Sequence, residues 1–137
     1  MNIVRQTEPG LCLAACVAMV SNSTLDEVMA KARILRAEDG IRFLPDNEAI
    51  KFLAGRFLQY GFTFKPGHPF DHAADRFIVE VPINQPAILA VRSKNFVDHD
   101  HAVVWDPNRR QILDPLHDEP QPIENYEIIE WAMVRHL

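Results

Sequence analysis

The stretch Pro9-Gly10-Leu11-Cys12-Leu13-Ala14-Ala15-Cys16-Val17-Ala18-Met19-Val20 decides the fold class, because after the Pro-Gly turn it is apolar on every side of a helical wheel. A surface helix keeps one polar face, so a helix without one belongs in the middle of the molecule. From Leu11 to Val20 the run has ten residues, about half of the roughly 20 that a membrane-spanning helix needs. No segment is expected to span a bilayer. Leu13-Ala14-Ala15-Cys16 resembles a lipoprotein cleavage box, but Glu8 and Pro9 stand where a basic n-region should be, so it is read as part of the buried helix.

Outward from this helix, Ser23 or Thr24 can cap a second one with Asp26 and Glu27 in its first turn. Leu25, Val28, Met29, Ala32 and Leu35 keep helical spacing, and the pattern predicts a helix that runs on toward Gly40. A third helix is predicted after Pro45 and Asp46, where Ile50, Leu53, Ala54, Phe57 and Leu58 repeat at helical spacing before Gly61.

From Phe62 the texture changes. Short β-prone runs follow at Phe62 to Phe64, Ala87 to Val91, Ala102 to Trp105, Gln111 to Leu113 and Glu127 to Val134, while Asp71 to Val81 reads either way. Asp106-Pro107-Asn108-Arg109-Arg110 is a short connection, so the strands on either side of it are expected to form an antiparallel hairpin. Helices first and antiparallel strands afterwards predict an α+β fold, with the helices on one face of the sheet. The 137 residues carry no repeat or low-complexity tract and are expected to form a single domain, 1–137.

The charge narrows the function classes. Fourteen basic against nineteen acidic residues leave a net charge of −5, without the basic face that a phosphate backbone requires. A nucleic-acid partner is not expected. Two cysteines are too few for the disulfide framework of a small secreted domain, so Cys12 and Cys16 are read as free thiols.

Cys12 falls at the start of the first helix, where unpaired amides and the positive end of the helix dipole favour a thiolate. Cys16, one turn further in among Ala15, Val17 and Met19, is read as core, because desolvation raises a thiol's pKa. Gln6 lies six residues before Cys12, and its side-chain amide could join the Cys12 backbone N–H in binding an oxyanion. Asp98-His99-Asp100-His101 opens the Ala102-Val103-Val104-Trp105 strand, with His99 and His101 on one face by alternation. Such a His-x-His pair also suits a metal, although no third ligand has motif spacing. Asp114 ends the next strand, within reach of His101 across the hairpin, and can orient its ring. His99 rivals His101 as base, and Asp106 is a weaker rival for the orienting acid.

In this order the residues resemble the papain-like cysteine peptidases, and among them the small C39-type (double-glycine leader) peptidases. The matching stretches are Gln6, Cys12-Leu13-Ala14-Ala15-Cys16, His101-Ala102-Val103-Val104 and Asp114-Pro115. The resemblance implies a papain-like core and a thiol hydrolase that cleaves a peptide or protein amide bond. Cys12 would be nucleophile, His101 base and acid, Asp114 the orienting carboxylate and Gln6 an oxyanion donor. It implies no metal or organic cofactor and a peptide or protein substrate; with no convincing export signal a cytoplasmic protein is expected, with a secreted effector left open.

Other activities share these residues. Glutamine deamidation and transglutamination begin with the same attack on a carboxamide, and a peptidoglycan amidase is a close variant. A non-catalytic binding module would keep the fold and lose the proton relay. The loops 38–45, 65–71 and 115–125 are expected to line the cleft, but they carry no readable preference, and oligomeric state is likewise open.

Overall fold

The computed structural model describes residues 1–54, 65–66, 70–71, 76–77, 85–92 and 100–134. Its centre is helix α1, Cys12–Val20, in which every residue from Ala14 to Val20 is buried. It ends in a Schellman turn. Asn22 takes the left-handed conformation at φ 53°, while the Asn22 and Ser23 amides return to the Met19 and Ala18 carbonyls.

Helix α2, Leu25–Lys31, starts on Thr24, whose Oγ1 accepts from the Glu27 amide at 3.1 Å. It is shorter than its apolar spacing predicts. Ala32 is already extended, and Leu35–Arg36 (β1) pairs antiparallel with Arg42–Phe43 (β2), so Leu35 belongs to a strand and is partly exposed. The turn chemistry of Asp39-Gly40 overrides the helical pattern. Gly40 sits at φ 85°, and the Asp39 carboxylate accepts from the Ile41 amide at 3.0 Å.

Helix α3, Asp46–Ala54, begins where Pro45 and Asp46 predict. Its buried face is Ala49, Phe52 and Leu53, whereas Ile50 is exposed, so the buried stripe is rotated from the predicted one. Phe57, Leu58 and Gly61, and the predicted strand from Phe62 to Phe64, lie outside the described residues.

The second half is a sheet, as predicted. Lys65–Pro66 (β3), Ala87–Arg92 (β6), Asp100–Asp106 (β7), Gln111–Leu113 (β8) and Ile128–Met133 (β9) form five antiparallel strands in the order β3-β9-β6-β7-β8. Phe70–Asp71 (β4) and Arg76–Phe77 (β5) make a separate small ladder within the segment whose reading was open. The β7–β8 hairpin pairs Val104 with Leu113 and Trp105 with Ile112.

Alternation splits the sheet's side chains between two cores. Ile88, Val104 and Leu113 join the helices in one cluster, with α1 lying against β7. Leu89, Val91, Val103, Trp105 and Ile112 form the other with Ile123, Ile128 and Trp131. The architecture is therefore α+β, with the helices gathered on one face. Among the described residues no single helix is long and apolar enough to cross a membrane.

Candidate active site

Gly10 brings the chain into α1 through a tight approach to β2, and Cys12 is the first residue of the helix. No side chain caps this helix start, so first-turn amides keep their donor capacity beside the thiol. Cys12 is partly exposed and Cys16 fully buried. Burial pushes the Cys16 thiol far up, which keeps it protonated and inert.

His101 is the second residue of β7, and Asp114 follows the last residue of β8. Continuing the hairpin register beyond Val104 and Leu113 sets Asp114 opposite Val103, so His101 is its diagonal neighbour on the same face. Their side chains meet there. Nε2 of His101 lies 2.7 Å from Oδ1 of Asp114, with both residues buried. Oδ1 also accepts from the Leu116 amide at 2.9 Å, and Oδ2 from the Tyr126 hydroxyl at 2.7 Å. The carboxylate thus accepts from three donors, two of them from the loop after β8.

Electrostatics favour the charged forms. Burial alone would push His101 down, but the hydrogen bonds to Asp114 and Cys12 and their negative charge outweigh it and raise the ring to about 9. Burial would likewise raise Asp114, yet His101, the Leu116 amide and the Tyr126 hydroxyl hold it below the usual carboxylate range. With Nε2 on Asp114, Nδ1 is the ring nitrogen left for the Cys12 thiol.

This arrangement has a consequence for stability. The folded ring titrates near 9 against 6.5 for an ordinary histidine, so its contribution is fully present below pH 6.5 and is lost as pH rises through 9. The difference corresponds to about 3 kcal/mol. Urea unfolding of the wild type and His101→Gln should therefore show a stability gap that shrinks steadily from pH 6 to pH 9.5. A gap that stays constant over that range would rule out a charged imidazole in the fold.

The site opens on a cavity of about 380 Å³. Gln6, Cys12 and His101 line it together with Leu13, Ile41, Phe43, Leu44 and Leu116, and Asp39 and Asp100 stand among the same walls. The surface is thus largely apolar around a polar floor. Of the loops expected at a cleft, 38–45 and 115–125 contribute Asp39, Ile41, Phe43, Leu44 and Leu116, while 67–69 of the third lie outside the described residues.

Gln6 reaches the cavity because the N-terminal segment is tied to the loop after β8. Its amide donates to the Pro115 carbonyl at 3.1 Å, and Arg5 bonds the same carbonyl and pairs with Asp118. The side-chain Nε2 donates to the Glu8 carbonyl at 2.8 Å and the Pro9 carbonyl at 3.0 Å, which uses both of its protons. Gln6 therefore braces the turn before Cys12, and to serve an oxyanion it must release one of these bonds.

The rivals fare differently. Asp106 stands at the far end of β7, where it accepts from the Asn108 amide and Arg109 and closes the hairpin turn. Its role is structural. His99 lies outside the described residues, and among the described residues no group of three or more His, Cys, Asp or Glu could hold a metal ion. Tyr126, by contrast, belongs to the site although the sequence reading passed over it. No family model matches this chain, and no curated protein matches it.

Proposed function

We propose that the chain is a thiol hydrolase of the cysteine-peptidase type, with a papain-like core closest to the C39-type peptidases, acting on a peptide or protein amide bond. What supports this is one constellation: a cysteine on an uncapped helix start, a histidine interacting with its sulfur, and an aspartate 2.7 Å from the ring's other side, at one apolar cavity. The order of elements agrees, with the cysteine helix first and the histidine and aspartate on neighbouring antiparallel strands.

In this reading the Cys12 thiolate attacks the carbonyl carbon, and the negative charge moves onto the carbonyl oxygen. The Cys12 backbone N–H receives it, aided by Gln6 once that side chain frees a proton. His101 then gives its Nδ1 proton to the departing amine, leaving a thioester on Cys12. Water enters, loses a proton to the now neutral ring and expels the thiolate as the acid forms. Asp114 remains ionised throughout and keeps the ring turned.

Two measurements test the proposal. Alkylation at neutral pH, followed at each thiol by mass spectrometry, should find Cys12 reactive in a manner that depends on His101 and Cys16 silent. Incubation with a peptide pool should produce new amino termini and an acyl adduct on Cys12. Two silent thiols until unfolding would end the thiol-enzyme reading. Ammonia release without chain cleavage would instead turn it to glutamine deamidation.

A further inference from the structure

Asp114 holds His101 through one oxygen only, so the ring's orientation depends on what fixes the rotation of the carboxylate. The Leu116 amide shares Oδ1 with the ring, and the Tyr126 hydroxyl is the donor within 2.7 Å of Oδ2. Tyr126 is not a follower of Asp114. Its amide closes the turn of Ile123–Asn125 at 3.1 Å on the Ile123 carbonyl. Ile123 is buried, and the Tyr126 ring packs against the core cluster that contains Trp105 and Ile112. The hydroxyl is thereby held in place by this turn and by packing on the β7–β8 hairpin, apart from its own bond to Asp114.

A competitor stands close by. Nε2 of His117 lies 3.9 Å from the same Oδ2 on a half-exposed side chain, near enough to draw the carboxylate round if that oxygen were free. The neighbouring Arg5 is already engaged, paired with Asp118 and hydrogen-bonded to the Pro115 carbonyl.

We propose that Tyr126 is a positioning residue of this site, which pins Oδ2 of Asp114 so that Oδ1 stays on His101 and Nδ1 stays aimed at Cys12. The proposal rests on the thiol-hydrolase reading and adds a fourth member to its relay. It acts through Asp114 and touches neither substrate nor sulfur. The chemistry is that of a hydrogen bond to a charged acceptor, which favours the ionised form and restricts its rotation.

Tyr126→Phe keeps the ring and its packing and removes only the donor. Cys12 alkylation at pH 7 is then expected to fall about tenfold, as the loss of a charge-assisted hydrogen bond implies. The Asp114 carboxyl, followed by carbon NMR, should titrate at a higher pH than in the wild type, because the ionised form has lost a donor. A merely structural tyrosine would lower stability evenly with pH and leave both readouts at their wild-type values. If the wild type shows the Cys12 advantage and Tyr126→Phe matches it in rate and in Asp114 midpoint, the positioning role is overturned and the hydrolase reading stands. If the wild-type advantage is itself absent, both fall together.

Discussion

Replacing His101 by alanine should lower peptide turnover by about 10²- to 10⁴-fold, the range over which a positioned acid–base group acts, and should erase the preference of alkylating reagents for Cys12 near neutral pH. The reason is the double duty of the ring. In the proposed mechanism it stabilises the thiolate before attack and supplies the proton to the leaving amine afterwards, and no other described histidine lines the cavity. The substitution also strands a buried carboxylate. Asp114 would keep the Leu116 and Tyr126 donors but lose the charged partner 2.7 Å away, and breaking a buried pair from one side costs about 3–5 kcal/mol. Asp114→Asn provides the control: it leaves the ring in place but withdraws the charge that holds it protonated, so turnover should fall while Cys12 alkylation keeps a residual dependence on His101. Turnover at the wild-type rate in His101→Ala would move the base elsewhere, with His99 the next residue to replace.

That His101 and Asp114 meet could be foreseen because it depends on local rules. Five residues separate Trp105 from Gln111, the hairpin they close fixes the register, and a side-chain period of two does the rest. Cys12 was legible for a similar reason, since Pro9-Gly10 and an all-apolar run set both the start of α1 and its place in the core. Periodicity failed where tertiary contact was the arbiter. Leu35 continues the spacing of α2, but the chain has already left the core there, and the left-handed turn at Gly40 draws it into a hairpin. The Asp39-Gly40 pair was the signal that could have revealed it.

Tyr126 and Gln6 illustrate what a linear reading leaves out. Tyr126 comes twelve residues after Asp114 in a loop without periodicity, and it reaches the carboxylate only because Gln121 pairs back onto Ile112 and a 3-10 turn redirects the chain. Gln6 lies beside the turn that precedes the helix start. The sequence could not reveal that its amide protons are spent on the Glu8 and Pro9 carbonyls, because the local fold of residues 6–10 decides where those oxygens point. The candidate site therefore joins two kinds of information: a histidine–aspartate pair written in strand register, and a set of loop braces that only three dimensions disclose.

The braces lead to the second large effect, at Gly10. A Cβ there would stand 1.9 Å from the Arg42 carbonyl oxygen and 2.4 Å from Cγ2 of Ile41, so Gly10→Ala should cost the ~1–3 kcal/mol of an overpacked site or more. The obstacle is backbone, and it cannot turn aside: Arg42 is paired in β2 with Arg36, and its guanidinium is ion-paired with Glu8. Relief must come from moving the whole β1–β2 hairpin away from the start of α1. Gly40 is the contrasting case, with open space around it and a positive φ, so a side chain there would strain the turn without displacing a wall. Because the hairpin gives Ile41 and Phe43 to the cavity while His101 and Asp114 hang from the sheet, Gly10→Ala should act on substrate seating more than on the relay. The expected result is a KM for a peptide substrate raised roughly tenfold, equivalent to ~1.4 kcal/mol of lost binding, with a lower melting temperature and an alkylation profile at Cys12 still dependent on His101. Unchanged KM and melting temperature would mean that the hairpin stands clear of the Pro9-Gly10 turn in solution, and that the cavity is wider there than the apolar walls around Cys12 now make it.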